Sequence, residues 1–291
     1  MGNLSGCITS LFLSVFIFPS ISWLEQVQPD YTKTPVLFVH GHGMGGDSWT
    51  PLITSLGKSR YPGNFLRAIQ LVPGNGPNIK AAETQIAPAV ENFLSEINHF
   101  LSTHQPGVPL KTKVDLVSHS MGGLSTRWYA AKVRPDRVNK WISLAGANHG
   151  SNFMCRFAQA GDPGADDMCP AYAKNQQESR VQFELNGSPH QADIDESPYG
   201  LGTDSPGVKR IPPDERRGIL YVTLRLKKDS WIVPGDSAII DGAGGRAIPM
   251  PEKLRAVENP GGNILILNRA DHSSILSDPE TMEIVRIILE R

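Results

Sequence analysis

The sequence predicts an α/β domain: a mostly parallel central sheet flanked by helices, with one long loop-rich insertion. Three observations predict it. Short apolar runs such as Thr34 to Val39, Val114 to Val117 and Val138 to Leu144 read as strands buried on both faces. Segments with helical apolar spacing separate them, which is the βαβ alternation of a parallel sheet. From Gly150 to Arg217 the pattern dissolves into Gly, Pro, Asp, Asn and Gln, and a loop region this long inside a compact domain usually covers a site.

With 291 residues the chain can bury a substantial core in a single unit. Lys+Arg 28 against Asp+Glu 29 leaves a net charge of -1, which offers no electrostatic footprint for nucleic acid or an anionic membrane. Neutral substrates fit that balance better. A hydrophobic content of 40% is ordinary for a globular protein and suggests neither disorder nor a polytopic membrane protein. No pattern points to an obligate protein partner.

Residues 1–22 contain no Asp, Glu, Lys or Arg, and Ile8 to Ile21 is almost continuously apolar, ending in Ser20-Ile21-Ser22. This is the pattern of a secretory signal peptide, although only the α-amino group supplies positive charge and a membrane anchor is the rival reading. Pro19 and the shortness of the run favour cleavage. Secretion, to the extracellular space or the periplasm, follows, with residues 23–291 as one catalytic-sized domain and 151–217 as the insertion within it. Removal of Cys7 leaves Cys155 and Cys169, an even pair in a loop-rich region of a secreted chain, best read as a disulfide closing that loop.

In chain order, the first strand runs into His40-Gly41-His42-Gly43-Met44-Gly45-Gly46. Ser48 to Leu56 suits a short helix, Ala68 to Val72 a strand, and Asn78 to His104 a long helix that Pro88 must kink or restart. The strand from Val114 leads into a helix over Leu124 to Lys132. After the insertion, Gly218 to Leu224 resumes the sheet, Asn263 to Leu267 is the last strand, and Pro279 to Arg291 closes the chain as a helix with Met282, Ile284, Val285, Ile288 and Leu289 on one face.

The strand at Val114 stops at Ser118-His119-Ser120-Met121-Gly122-Gly123, as a nucleophile elbow does. A serine at a strand-to-helix corner is held clear of the sheet in a strained conformation, with small neighbours two residues to either side. Here they are Ser118, where glycine is usual, and Gly122. Gly41, Gly43 and Gly46 also fit a dinucleotide fingerprint, but no Asp or Glu occurs between Asp47 and Glu83 to hold a ribose. The better reading is an oxyanion loop, with the backbone N–H groups of His42 and Met121 as donors. His40 and His42 are then structural or pocket-lining side chains, and His149 is structural.

Acyl transfer needs a serine, a histidine base and an orienting carboxylate on loops at the carboxyl ends of strands. Ser120, Asp229 and His272 each follow an expected strand, in that order. His272 is the only histidine beyond position 190. For the carboxylate, Asp229, Asp236 and Asp241 all lie between the last two strands. Asp229 is favoured as the first after the strand, with Ile232-Val233-Pro234 expected to lead the chain away.

Val39 to Gly46, Val114 to Gly123, Leu144 to Ser151, Asp229 to Pro234 and Asp271-His272 together resemble an α/β-hydrolase of the secreted bacterial class 2 lipase type, close to small triacylglycerol lipases. The resemblance implies hydrolysis of carboxylic esters through an acyl-enzyme on Ser120, Asp229 and His272, with an oxyanion hole at His42 and Met121. It implies no cofactor, and no residue is assigned as a metal ligand. Acylglycerols or similar aliphatic esters, soluble or emulsified, are the expected substrates, with contact to a lipid interface. The serine at 118 also suits relatives that look like polyester or polyhydroxyalkanoate depolymerases. A non-catalytic binding module on the same scaffold would have lost the Ser, the acid or the His, and all three are present.

Overall fold

Seven strands form the sheet: β1 (Val36–Val39), β2 (Leu66–Ile69), β3 (Val114–His119), β4 (Val138–Leu144), β5 (Leu220–Leu226), β6 (Val257–Asn259) and β7 (Asn263–Ile266). In space they run β2-β1-β3-β4-β5-β7-β6, all parallel except β6, which pairs antiparallel with β7 at the edge. The computed structural model describes residue 2 and residues 28–187, 219–240, 257–259, 262–268 and 270–291. The expected signal peptide at 1–22 and the second half of the insertion lie outside the described residues. Among the described residues, no helix is long and apolar enough to cross a membrane.

Every side chain of β1 and β3 is buried, and that follows from apolar cover on both faces of the sheet. On one face lies α3 (Ala87–His104), with Val90, Phe93, Ile97 and Leu101 in a core that includes Leu37, Leu116 and Trp141. On the other lie α1 (Thr50–Gly57) and α8 (Pro279–Leu289), packing Leu52, Leu56, Ile284, Val285 and Ile288 against Phe38, Val117 and Val222. Asp278 caps α8 by accepting the Thr281 N–H at 2.8 Å, and Pro279 occupies the first turn, where a missing N–H costs no helical bond.

The long helix expected from Asn78 is three pieces: α2 (Asn78–Ala81), a π-helical turn (Ala82–Ile86) and α3. Pro88 falls in the first turn of α3, so it starts the main body. β2 lies earlier than the Ala68 to Val72 expected, because the next backbone donors find side chains instead of a strand. Leu71 N–H donates to His40 Nε2 at 2.9 Å and Val72 N–H to Gln85 Oε1 at 2.8 Å. β5 begins at Leu220, two residues after the expected Gly218, and β6 was not expected at all. The elbow helix α4 (Gly122–Trp128) begins two residues early and finishes in a π turn, Tyr129–Val133.

Read as loop, the insertion contains three short α-helices among its described residues: α5 (Cys155–Ala158), α6 (Pro163–Met168) and α7 (Arg180–Asn186). They are too short to show periodicity, and side-chain caps mark two of them, Asp162 for α6 and Ser179 for α7. Cys155 and Cys169 are disulfide-bonded, closing α5 onto the end of α6. Arg127, fully buried on α4, holds α7 by donating to Asn186 Oδ1 at 2.6 Å and to the Leu185 carbonyl at 3.0 Å.

At the amino ends of β3 and β4 sits a buried polar anchor. Asp115 accepts from Asn139 Nδ2 at 2.7 Å and lies 3.7 Å from Lys140 Nζ, which also donates to the Leu289 carbonyl at 2.8 Å. The last helix is thereby tied to the centre of the sheet.

Candidate active site

At the opposite, carboxyl end of β3 the chain turns sharply at Ser120, whose φ is 53°. A non-glycine residue in the left-handed region costs on the order of 1–3 kcal/mol. Three backbone bonds over-determine the turn: Ser120 N–H to the Leu144 carbonyl at 3.0 Å, Gly123 N–H to the Ser120 carbonyl at 3.0 Å, and Ala147 N–H to that carbonyl at 3.2 Å. Gly122 cannot be replaced, since a Cβ there would lie 2.6 Å from the His40 carbonyl oxygen. Ser118, by contrast, has room for its side chain, and its hydroxyl donates to the Ile142 carbonyl at 3.2 Å.

Ser120 Oγ lies 2.9 Å from His272 Nε2, and His272 Nδ1 lies 2.9 Å from Asp229 Oδ2. The three residues come from loops after β3, β5 and β7. The other oxygen of Asp229 accepts the N–H groups of Trp231 at 2.8 Å and Ile232 at 3.0 Å. Burial opposes ionisation of Asp229, yet its bonds from His272, Ile232 and Trp231 outweigh that and hold its pKa below the usual carboxylate range. With Asp229 ionised, His272 donates through Nδ1, which leaves Nε2 as an acceptor for the serine proton.

The family model described as "Alpha/beta hydrolase family" matches residues 36–283. The chain belongs to the alpha/beta hydrolase family. Among solved structures, Bacillus licheniformis lipase BlEst2 in mature form aligns with a TM-score of 0.50 at 18% identity, over 90% of this chain and 94% of that one. Aspergillus fumigatus lipase B aligns with a TM-score of 0.51 at 16% identity, over 90% of this chain and 54% of that one. Both likenesses are of fold. No curated protein sequence matches the chain.

In this alpha/beta hydrolase the turn after β1 packs under the elbow. A Cβ on Gly41 would come within 2.8 Å of Ser120 Cβ, so the backbone approaches the serine as only glycine allows. Among the described residues, neither the His42 nor the Met121 backbone N–H donates to another group of the chain. The His42 ring reaches the insertion, with Nε2 2.8 Å from Asp162 Oδ2, an oxygen that also accepts from Asn75 Nδ2 at 2.9 Å. His40 is structural: its Nδ1–H donates to the Gly41 carbonyl at 2.8 Å while Nε2 accepts from Leu71. His149 packs away from the serine, its Nδ1 3.0 Å from the Ser237 carbonyl oxygen and its ring stacked on Tyr172.

A cavity of about 120 Å³ opens on Ser120 and His272, lined by His42, Met44, Met154, Met168, Trp231 and Ile232. The insertion thus walls the cleft through Met154 and Met168. Ile232, expected to lead away from the cleft, lines it, because the two N–H bonds to Asp229 curl the loop back on itself. Asp236 points elsewhere, paired with Arg225 at 2.7 Å, and Asp241 lies outside the described residues. Sequence reasoning missed Trp231, whose ring stacks on His272 with centroids 5.8 Å apart, and Asp162, whose Asp-Pro step marks a helix start but not its contact with His42. It also passed over His119, hidden at a position of the elbow where many residue types are allowed. Among the described residues, no group of three or more His, Cys, Asp or Glu side chains is arranged to hold a metal.

Proposed function

We propose that the protein is a serine carboxylic-ester hydrolase that acts through an acyl-enzyme. The observation that carries this reading is the unbroken chain of contacts from Ser120 Oγ through the His272 ring to Asp229, with 2.9 Å at each step. Ser120 Oγ attacks the ester carbonyl carbon as its proton passes to His272 Nε2, and Asp229 offsets the charge of the imidazolium that forms. The oxyanion is received by the N–H groups of His42 and Met121, neither of which donates to another group among the described residues. His272 then returns the proton to the leaving alkoxide, and the alcohol departs. A water molecule, deprotonated by His272 in its turn, attacks the acyl-enzyme, and His272 returns that proton to Ser120 Oγ as the acid leaves.

Aliphatic esters presented as an emulsion or a solid are the substrates we favour, with acylglycerols first. Val72, Trp231, Val233 and Leu267 are at least one-third exposed and all lie on loops at the carboxyl ends of strands, on the side of the cleft. Apolar side chains gathered there suit a water-insoluble surface, and a polyester would present one as well as a lipid. Secretion is part of the proposal, supported by the disulfide. A serine-directed phosphonate should label wild-type protein at Ser120 and leave Ser120→Ala unlabelled. Turnover of a chromogenic short-chain ester should fall by roughly 10⁶-fold in that variant with folding intact, because nucleophile and base act as a unit. Labelling at another serine would overturn the assignment. Rates on short esters, emulsified triacylglycerol and polyester film, measured together, rank the substrates.

A further inference from the structure

We propose that His119 is a positioning residue that fixes His272 against Ser120 by donating a hydrogen bond to the His272 backbone. His119 is fully buried, and its Nε2 lies 2.7 Å from the His272 carbonyl oxygen. That oxygen can only accept, so Nε2 carries the proton. The proposal rests on the serine-hydrolase reading of the site.

The bond closes a small ring. From Ser120 the chain steps back one residue to His119, crosses its imidazole to the His272 carbonyl, follows the His272 side chain to Nε2, and returns over 2.9 Å to Ser120 Oγ. Nucleophile and base are thus tied by a path that bypasses the rest of the sheet. Without it, the described contacts on His272 are those of its side chain: Ser120 Oγ at Nε2, Asp229 at Nδ1, and the Trp231 and His119 rings beside it. Those set the orientation of the ring, while the His119 bond sets where its backbone stands.

The other ring nitrogen shows that space-filling alone does not account for a histidine here. His119 Nδ1 is buried and has no hydrogen-bond partner among the described residues. It lies against the Gly41 backbone, where an added Cβ would sit 2.9 Å away. A buried acceptor without a partner is a cost that leucine would not incur. The bond at Nε2 is what only a donor can supply.

His119 also stays out of the proton transfer. Burial, with the His272 ring 4.7 Å away, drives its pKa down to about 3, while the His272 carbonyl and Asp229 act the other way and His40 adds to the lowering. It is neutral when His272 becomes an imidazolium, so the donating tautomer persists and no second cation stands beside the base.

Three variants test the proposal. The amide of His119→Gln can place a donor near Nε2, the shorter His119→Asn cannot reach, and His119→Leu has no donor. Since misplacement of a reacting group by about 1 Å can cost on the order of 10²-fold, kcat for a soluble chromogenic ester should fall 10- to 100-fold in His119→Leu and His119→Asn, with KM within about twofold. Phosphonate labelling of Ser120 should slow in parallel. His119→Gln should recover most of kcat whatever its melting temperature, a pattern that loss of packing alone would not produce. Equal losses in Gln and Asn, or kcat within twofold of wild type in all three, would overturn it. If His119→Leu does not fold, the Gln and Asn pair still decides. Wild-type protein that the phosphonate leaves unlabelled would instead overturn the serine-hydrolase reading, and this proposal with it.

Discussion

Two buried carboxylates stand at opposite ends of the sheet, and their acidities move in opposite directions. Asp115, completely buried at the start of β3, is pushed up to about 6, because burial outweighs the attraction of Lys140 and the Asn139 bond. Asp229, on the loop after β5, is also buried but is held below the ordinary range. The difference lies in the donors. Asp229 spends both oxygens on three well-placed N–H groups, whereas Asp115 Oδ2 faces Lys140 only at 3.7 Å and accepts no hydrogen bond among the described residues. The carboxylate paired with the His272 ring is surrounded by donors. One that only anchors a chain end tolerates an imperfect set.

The largest expected effect falls at Asp229. In Asp229→Asn the amide can still accept the Trp231 and Ile232 N–H bonds through its oxygen, so the loop should keep its shape. Its NH2 group, however, offers a donor to His272 Nδ1 and moves the imidazole proton to Nε2, where the serine proton must go. A loss on the order of 10⁴ in kcat is expected, with little change in melting temperature. Asp236→Asn should keep activity within about twofold, because its carboxylate is exposed and paired with Arg225 away from the cleft. Steady-state rates for the two variants decide this. If Asp236→Asn is the one that collapses, the contrast drawn between the ends of the sheet has the wrong acid in it.

At Asp115 the effect is on stability and its sign runs opposite to the usual carboxylate. Below pH about 4 both folded and unfolded chains hold this proton. Between about 4 and 6 the unfolded carboxyl, with a pKa of about 3.9, has lost it while the folded one keeps it, so the folded state binds more protons and stability falls as pH rises. The full penalty, about 3 kcal/mol, is in place above pH 6. Thermal unfolding of wild type and Asp115→Asn across pH 4 to 7 should show this slope in wild type and its loss in the variant, with kcat unchanged near neutrality. A difference between the two that does not vary with pH would mean that Lys140 keeps Asp115 ionised throughout.

The same contrast explains what could be read from the sequence. Strands buried on both faces leave apolar runs, and the Ser120 turn leaves small residues at fixed offsets, so sheet, elbow and the order Ser, Asp, His were legible. The end of β2 was not, because it depends on distant partners: Gln85 and His40 draw the chain off the sheet after Ile69. Nor were Trp231, Asp162 and His119. Each acquires its place through a contact across many residues, His119 with the loop after β7, and Asp162 with the turn after β1. The helices of the insertion went unread since a four- to seven-residue helix gives no period to detect.

Ser118 carries the smallest effect and tests whether position beside Ser120 at the carboxyl end of the sheet suffices to make a residue catalytic. It stands two residues before Ser120, where glycine is usual, yet its hydroxyl reaches sideways to the Ile142 carbonyl on β4. None of the three backbone bonds that hold Ser120 at positive φ involves it. Ser118→Gly removes one buried hydrogen bond, worth about 1 kcal/mol, and adds roughly 0.5–1 kcal/mol of backbone entropy to the unfolded chain. The expected outcome is a fall in melting temperature of a few degrees with kcat within about twofold of wild type. Calorimetry and ester turnover on the same preparation separate the two quantities. A tenfold change in kcat would place the Ser118 hydroxyl among the groups that set the elbow geometry and make the serine at this position part of the reaction's design, whereas a stability loss alone leaves it a rivet between β3 and β4.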